Sequence, residues 1–456
     1  MNANKFILAS LLTAGTAAGV MAQASYSGYF LENYTHRYQL NPALTDNSGR
    51  KSFVALPALG NLNVGMQGNL GANAILYNVD GKTVLFTNPG VSAAQALDKF
   101  HDKNKLGANV EMDILAAGFT AFGGKNVVTL SAVADANVMV PGALLRLAKE
   151  GAENKTYDIK DTRVNATGYA KLQFNHQRDI PWVPGLKAGA AVKFLFGLAN
   201  VDAYLNSANL TLGENDWTAY TDAEIYANVR GLKYKQDFSD DTQQYYVNDV
   251  DVDGFGLTGF GIGFDLGATY DWNDFQFSLA LLDLGFISWG NTQYATTNGV
   301  KKFNTDAYTF GFKDGESDDT LDAMKSELFK LYQLEDKGDI GGRTRALRAT
   351  LNWGVDYEFP YYRPLHFGMV NSTRFNGPFT TTDFRFSANV QPVKCFSASA
   401  NFAAGTYGVG FGWLVNVNVT GFNFFIGMDR TFGKLAKQGL PLNSNGEFNM
   451  GINFPF

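Results

Sequence analysis

The sequence predicts an all-β chain: a transmembrane antiparallel β-barrel of fourteen strands, with counts up to sixteen admissible. Three observations predict it. The first is the end of the chain, where Phe448, Met450, Ile452, Phe454 and Phe456 alternate with Asn449, Gly451, Asn453 and Pro455. Successive side chains of a strand point to opposite faces, so this stretch offers one face to hydrocarbon and the other to water. The second is composition: 49 glycines, 37 phenylalanines and 21 tyrosines stand beside 37 lysines and arginines. Aromatic girdles and small wall residues suit transmembrane strands. The third is that no run after residue 24 reaches the roughly 20 apolar residues of a spanning helix. The mean hydropathy of −0.14 fits lipid-facing and lumen-facing residues averaging out.

Taken in order, residues 1–24 read as a secretory leader. Lys5 is the positive residue, Phe6 to Val20 the apolar core, and Ala22, Gln23, Ala24 a small-x-small cleavage site, with the cut after Ala24 or after Ala22. No cysteine follows either cut, which argues against a lipid anchor. The formal net charge of −6 becomes more acidic once Lys5 is lost, and no basic stripe suited to a nucleic acid is present. Residues 25–57 carry Tyr34, His36, Arg37 and Tyr38, then Asn41, Pro42 and Ala43. They either hang in the periplasm or fold back as a plug, and their aromatic content favours the plug, because a free tail is polar. The barrel is expected over 58–456.

Its strands are read from alternation. Val110, Met112 and Ile114 face lipid in one strand, and Val128 to Val138 in the next, across a turn at Gly123 to Asn126. Val164 to Phe174 alternates with a polar set. Phe260 to Tyr270 interleaves with glycine and Asp265; after the turn at Trp272, Asn273 and Asp274 the apolar parity slips at Leu282, the mark of a β-bulge. Leu347 to Phe359, Phe384 to Val390, Phe396 to Ala404, Val409 to Val419 and Phe422 to Met428 follow. Leu59 to Leu70 and Tyr204 to Gly213 are the two weakest candidates. Cys395, at a strand start, is expected to be a small buried residue. The long connections 71–106, 140–162, 232–256 and 289–343 all fall at one end, expected to be extracellular. Within them, Ser92 and Gln95 predict a capped helix from Ala93, and Leu321, Met324, Leu328 and Leu331 line one face of another, either packed on the rim or acting as a lid.

Candidate chemistry is sparse. Asp249, Asp251, Asp253 and Gly254 match the first half of a calcium loop, but Phe260 stands where its bidentate glutamate belongs. The competing reading is a strand above the membrane with three carboxylates in water. Parity places Lys171, Glu224, Arg230, Arg348, Asp356, Glu358, Asp383 and Arg385 in the lumen, as structural ion pairs or as a selectivity lining. Tyr169, Tyr226 and Phe425 are inward aromatics that could line a hydrophobic ligand. His36, His101, His176 and His366 lack metal-ligand spacing and stand beside no serine or cysteine motif, so no enzyme and no cofactor is expected.

Tyr29, Phe30, Leu31, His36, Arg37, Leu40 to Ala43, Leu56, Pro57 and Leu59 to Leu62, with Val91 to Ala93 and Asn104 to Gly107, resemble an uncharacterised family of Bacteroidetes outer-membrane proteins. Its architecture is similar to that of the long-chain fatty-acid transporter family, whose barrels have fourteen strands and an amino-terminal hatch in which Asn-Pro-Ala recurs. The resemblance implies that Asn41, Pro42 and Ala43 belong to a hatch. It implies that Phe454 and Phe456 form the signal read by the outer-membrane insertion machinery, in contact with outer-membrane lipid. Two functions follow as expectations: passage of a hydrophobic or amphipathic small molecule, or a structural barrel serving secretion-system partners, as transporter-like subunits of the type IX machinery do.

Overall fold

The computed structural model describes residues 25–45, 52–150, 156–212, 216–239, 243–297, 300–304, 333–431 and 445–456. Lipid leaves no water to satisfy backbone N–H and C=O groups, so a sheet can span only by closing on itself. Fourteen antiparallel strands do so here. The first, β1, is interrupted, with pieces at Phe53–Ala55 and Leu62–Gly68. Then come β2 (Lys103–Ala121), β3 (Gly124–Pro141), β4 (Arg163–Asp179) and β5 (Leu186–Leu212). They are followed by β6 (Gly259–Trp272), β7 (Phe275–Trp289) and β8, interrupted between Arg343–Ala346 and Thr350–Glu358. The last six are β9 (Leu365–Arg374), β10 (Thr381–Val393), β11 (Phe396–Gly405), β12 (Gly408–Val419), β13 (Phe422–Arg430) and β14 (Gly446–Pro455). Each pairs with the next, and β14 returns to β1 with Met450 opposite Leu62 and Pro455 opposite Phe53.

Alternation assigns the faces. On β6, Phe260, Phe264, Leu266 and Tyr270 are exposed on the outside, while Asp265 and Thr269 are buried within. On β14, Asn449 and Asn453 are buried inside and Phe454 is exposed. This apolar exterior on a closed sheet places the barrel in the outer membrane. Short turns gather at one end, including Phe122–Gly123, whose φ values of 55° and 73° give the mirror-image turn that matches strand twist. The two chain-terminal wall strands begin and end there, so this is the periplasmic end.

Several expectations need correction. Wall structure starts at Phe53, before residue 58. The stretch from Tyr204 is no separate wall strand: β5 runs on beyond Gly197, its last partner to β6, and pairs instead with Asp216–Val229. That strand pairs with Gln293–Thr297, which pairs with Leu334–Asp339, forming a sheet beyond the wall. The parity slip on β7 is a bulge opposite Phe264 and Leu266, with Asp283 at φ 58°. Leu282 therefore points inward and is buried, and Leu284 and Phe286 resume the outer face. Cys395 is exposed in a two-residue turn between Val393 and Phe396. Ser92 Oγ accepts from Gln95 N at 3.2 Å, but the helix it caps spans only Ala93–Leu97. The stripe from Leu321 to Leu331 lies outside the described residues.

Phe456 exchanges backbone hydrogen bonds with Ser52, at 2.9 and 3.2 Å, and leaves its ring exposed. Its deletion is expected to lower the amount of folded barrel in outer membranes several-fold, read as the heat-modifiable band on gels, while the thermal midpoint of what does insert stays within about 2 °C.

Candidate functional site

The inner wall is lined with asparagine, serine, threonine and carboxylate groups, which need partners once removed from bulk water. Residues 25–45 supply many of them. This segment lies within the lumen in two 3-10 turns, Tyr26–Gly28 and Thr35–Gln39. Tyr29, Tyr34, Tyr38 and Leu40 are fully buried. The segment reaches every strand of the wall, from Phe53 on β1, Asp113 on β2 and Thr129 on β3 round to Asn453 on β14. Gln177, Gly189, Ala268, Ser278 and Asn352 receive it on β4 to β8. Ser372, Arg385, Ser397, Asn416 and Asp429 receive it on β9 to β13.

Three contacts fix its course. Asp429, on the inward parity of β13, accepts from Ser25 Oγ at 2.5 Å, Tyr26 N at 2.5 Å and Ser27 N at 2.7 Å. One carboxylate thus satisfies the start of the segment through charge-assisted bonds. Asn33 accepts from Ser397 Oγ at 2.5 Å and, at its carbonyl, from Asn416 Nδ2 at 3.1 Å. Asn41, Pro42 and Ala43 pack where the wall has no side chain: a Cβ on Gly267 would stand 2.0 Å from Asn41 Oδ1, and one on Gly189 2.2 Å from the Pro42 carbonyl carbon. Asn41 Nδ2 donates to the carbonyls of Ala268 and Leu279, both at 3.3 Å, and its Oδ1 accepts from Ala43 N at 2.9 Å. His36 lies between Asp113, at 3.4 Å, and Asn453, at 3.3 Å.

Toward the extracellular end the lumen is crossed by ion pairs. Lys171 meets Glu111 at 2.5 Å, and Lys193 bridges Asp265 at 2.7 Å and Asp283 at 2.6 Å. The β7 bulge is what turns Asp283 inward to that lysine. Arg348 pairs with Asp135 and bonds Asn165. Asp383 lies between Arg430, at 2.9 Å, and Arg385, at 3.3 Å. Asp356 holds His366 at 2.8 Å, and Glu358 faces Arg363 at 3.3 Å near the periplasmic turn. Removing one member of a buried pair costs about 3–5 kcal/mol, so the enclosed pairs brace the wall, while the exposed Arg363 pair adds little. A cavity of about 60 Å³ remains beside Tyr26, lined by Met66, Arg374, Asp383, Arg385, Arg430 and Glu447. It has room for a few waters and none for a hydrocarbon chain.

The other residues singled out by sequence lie elsewhere. Glu224 and Arg230 are not in the lumen: Glu224 lies in the sheet beyond the wall, where it accepts from Asn206 and Tyr294, and Arg230 is exposed at a turn. Tyr226 stacks on Tyr294 at 4.8 Å beneath Arg343 in the same sheet, where burial and the charge of Glu224 push its phenol up to about 12. Tyr169 does face the lumen, packed against Leu195, Ile287 and Trp289. Phe425 faces in but is covered by the Tyr34 ring, 4.9 Å away. Asp249 and Asp251 lie on a loop strand, Gln244–Val252, opposite Lys235 and Lys233, with Lys235 Nζ 3.6 Å from Asp251. Their carboxylates do not converge, and among the described residues no three His, Cys, Asp or Glu side chains are placed to hold a metal ion. Asp429 escaped the sequence reading, although its parity with Asn423 and Phe425 marks it as inward.

A family profile described as a family of unknown function, DUF5723, matches residues 42–429. A search of curated proteins returns no match. Solved structures return similar barrels at low likeness. A mutant of the monoaromatic hydrocarbon channel TodX shares 9% identity, covering 96% of this chain and 97% of that one, with a TM-score of 0.43. The toluene transporter TbuX of Ralstonia pickettii shares 10%, covering 91% of each chain, at 0.40. A FadL homologue of Pseudomonas aeruginosa shares 9%, covering 96% and 98%, at 0.34.

Gly267→Val tests the docking of Asn41 directly, since the added side chain must displace it. Amide exchange of residues 41–45 is expected to accelerate by about a hundredfold, as overpacking of 1–3 kcal/mol implies, with exchange of the wall strands unchanged.

Proposed function

The chain belongs to DUF5723, a family of unknown function, and on that premise we propose that it is a transporter-like barrel whose residues 25–45 are a hatch. The hatch undocks to admit a hydrophobic or amphipathic small molecule. The observation that carries this reading is where the hatch puts its apolar side chains. Tyr26, Tyr29, Phe30, Leu40 and Leu44 gather on Val370 of the inner wall, and Leu31 and Tyr34 on Leu414 and Phe425. Undocking uncovers those apolar wall positions inside an otherwise polar lumen, giving a hydrophobic solute seats that water fills poorly.

A second reading is favoured by the braced lumen: a structural or secretion-associated barrel that acts through protein partners. Glu111 with Lys171, Lys193 with its two aspartates and Asp383 with two arginines occupy space that a permeation path would use. Uptake of a labelled long-chain fatty acid separates the two. Cells making the intact barrel are expected to exceed vector controls, and deletion of residues 25–50 to change the initial rate at least about threefold, the effect of removing a gate rather than a neutral surface segment. Uptake at the vector level from both, with equal amounts of inserted barrel, supports the structural reading.

A further inference from the structure

Ser25 is fully enclosed, with its backbone N 3.2 Å from Tyr34 Oη and its Oγ 2.5 Å from Asp429. Charged groups gather near it. Of the three carboxylates Asp383, Asp429 and Glu447, only Asp383 is in direct contact with guanidiniums, those of Arg385 and Arg430. Asp429 is satisfied by neutral donors alone, and among the described residues neither it nor Glu447 has a cation within 4.0 Å. Arg374, also on the cavity, stands 3.8 Å from Asp135, which Arg348 already holds. A carboxylate buried with no cation in direct contact is costly, and Asp429 and Glu447 are both in that position. Ser25 directly follows the small-x-small sequence Ala22, Gln23, Ala24.

We propose that the Ala24–Ser25 bond is the processing site, and that the α-ammonium released on Ser25 is the buried cation that completes this cluster and fastens residues 25–45 in the lumen. The step is a hydrolysis by a leader peptidase. Water adds to the Ala24 carbonyl carbon and the C–N bond breaks. Ala24 leaves as a carboxylate, and the Ser25 nitrogen takes the proton to become an ammonium. Before cleavage that nitrogen has one N–H, already given to Tyr34; afterwards it has three, and two are free for Asp429, which already holds the Ser25 hydroxyl at 2.5 Å. Export processing thereby converts a neutral amide into a direct counter-ion for Asp429, so the segment is held firmly only in the mature chain. This inference does not depend on what passes through the barrel.

The test uses the mature barrel purified from outer membranes. Intact mass is expected to place its first residue at Ser25. An amine-reactive acylating reagent at neutral pH, which favours an α-amine over lysine because of its lower intrinsic pKa, is expected to label that nitrogen at least about a hundredfold more slowly in the folded barrel than in the urea-unfolded chain. Asp429→Asn is expected to raise the folded-state rate about tenfold or more. If that variant does not fold, insertion of two glycines between Ala24 and Ser25, which moves the ammonium and leaves every side chain, is expected to give the same acceleration. A mature chain beginning at another residue, equal labelling of folded and unfolded barrel, or a rate unmoved by the variant that folds overturns the proposal.

Discussion

A backbone N–H or C=O facing hydrocarbon without a partner costs several kcal/mol, and every large feature of this chain answers to that cost. It requires β14 to find β1, which it does through Met450 with Leu62 and Pro455 with Phe53, across nearly the whole sequence. Closure then creates an interior, and the alternation that gives lipid its phenylalanines gives that interior its polar groups. Asn352, Asn416, Asn423, Asn449 and Asn453 are all buried on the inner face. Most of the first four find partners in the amino-terminal segment or in each other. The segment is thus a consequence of closure: it supplies protein partners to part of a polar wall too enclosed for bulk water.

The way the segment is held explains how it could be both secure and removable. Its anchors are hydrogen bonds made through the side chains of Asp429 on the wall and of its own Asn33 and Asn41, and apolar packing on Val370, Leu414 and Phe425. None of its backbone joins the sheet ladder of the wall. Its release therefore breaks no wall pairing, and the barrel can keep its closure with or without it. The ion pairs above it belong to the wall itself and serve the opposite end, where Lys193 also pins the β7 bulge.

The wall was legible in the sequence because a period of two, carried by large apolar residues, has few other causes in a chain without a long apolar run. Alternation alone bounds the strand number at fourteen to sixteen, and the structure has the favoured fourteen; the upper bound arises because alternation continues unbroken where β5 leaves the membrane. Tyr204 and its neighbours have the same period as the wall, and their partner is Asp216–Val229 rather than β6. Parity alone puts Glu224, Arg230 and Tyr226 in the lumen for the same reason: it tells one face from the other and is silent about which sheet the face belongs to. Cys395 is exposed rather than buried because a strand start and a turn differ by one residue there. Asp429 was missed because its partners, Ser25 to Ser27, lie some four hundred residues away, and a lone acid in a strand declares nothing until the barrel closes.

The central claim is that residues 25–45 close the lumen from the inside while the wall closes it from the lipid. Conductance of the purified barrel in planar bilayers tests it most directly. The intact protein is expected to give no steady ionic current, and the protein lacking residues 25–45 a stable open-channel current of uniform step size. Steady conductance from the intact barrel, equal to that of the deletion, would contradict the account.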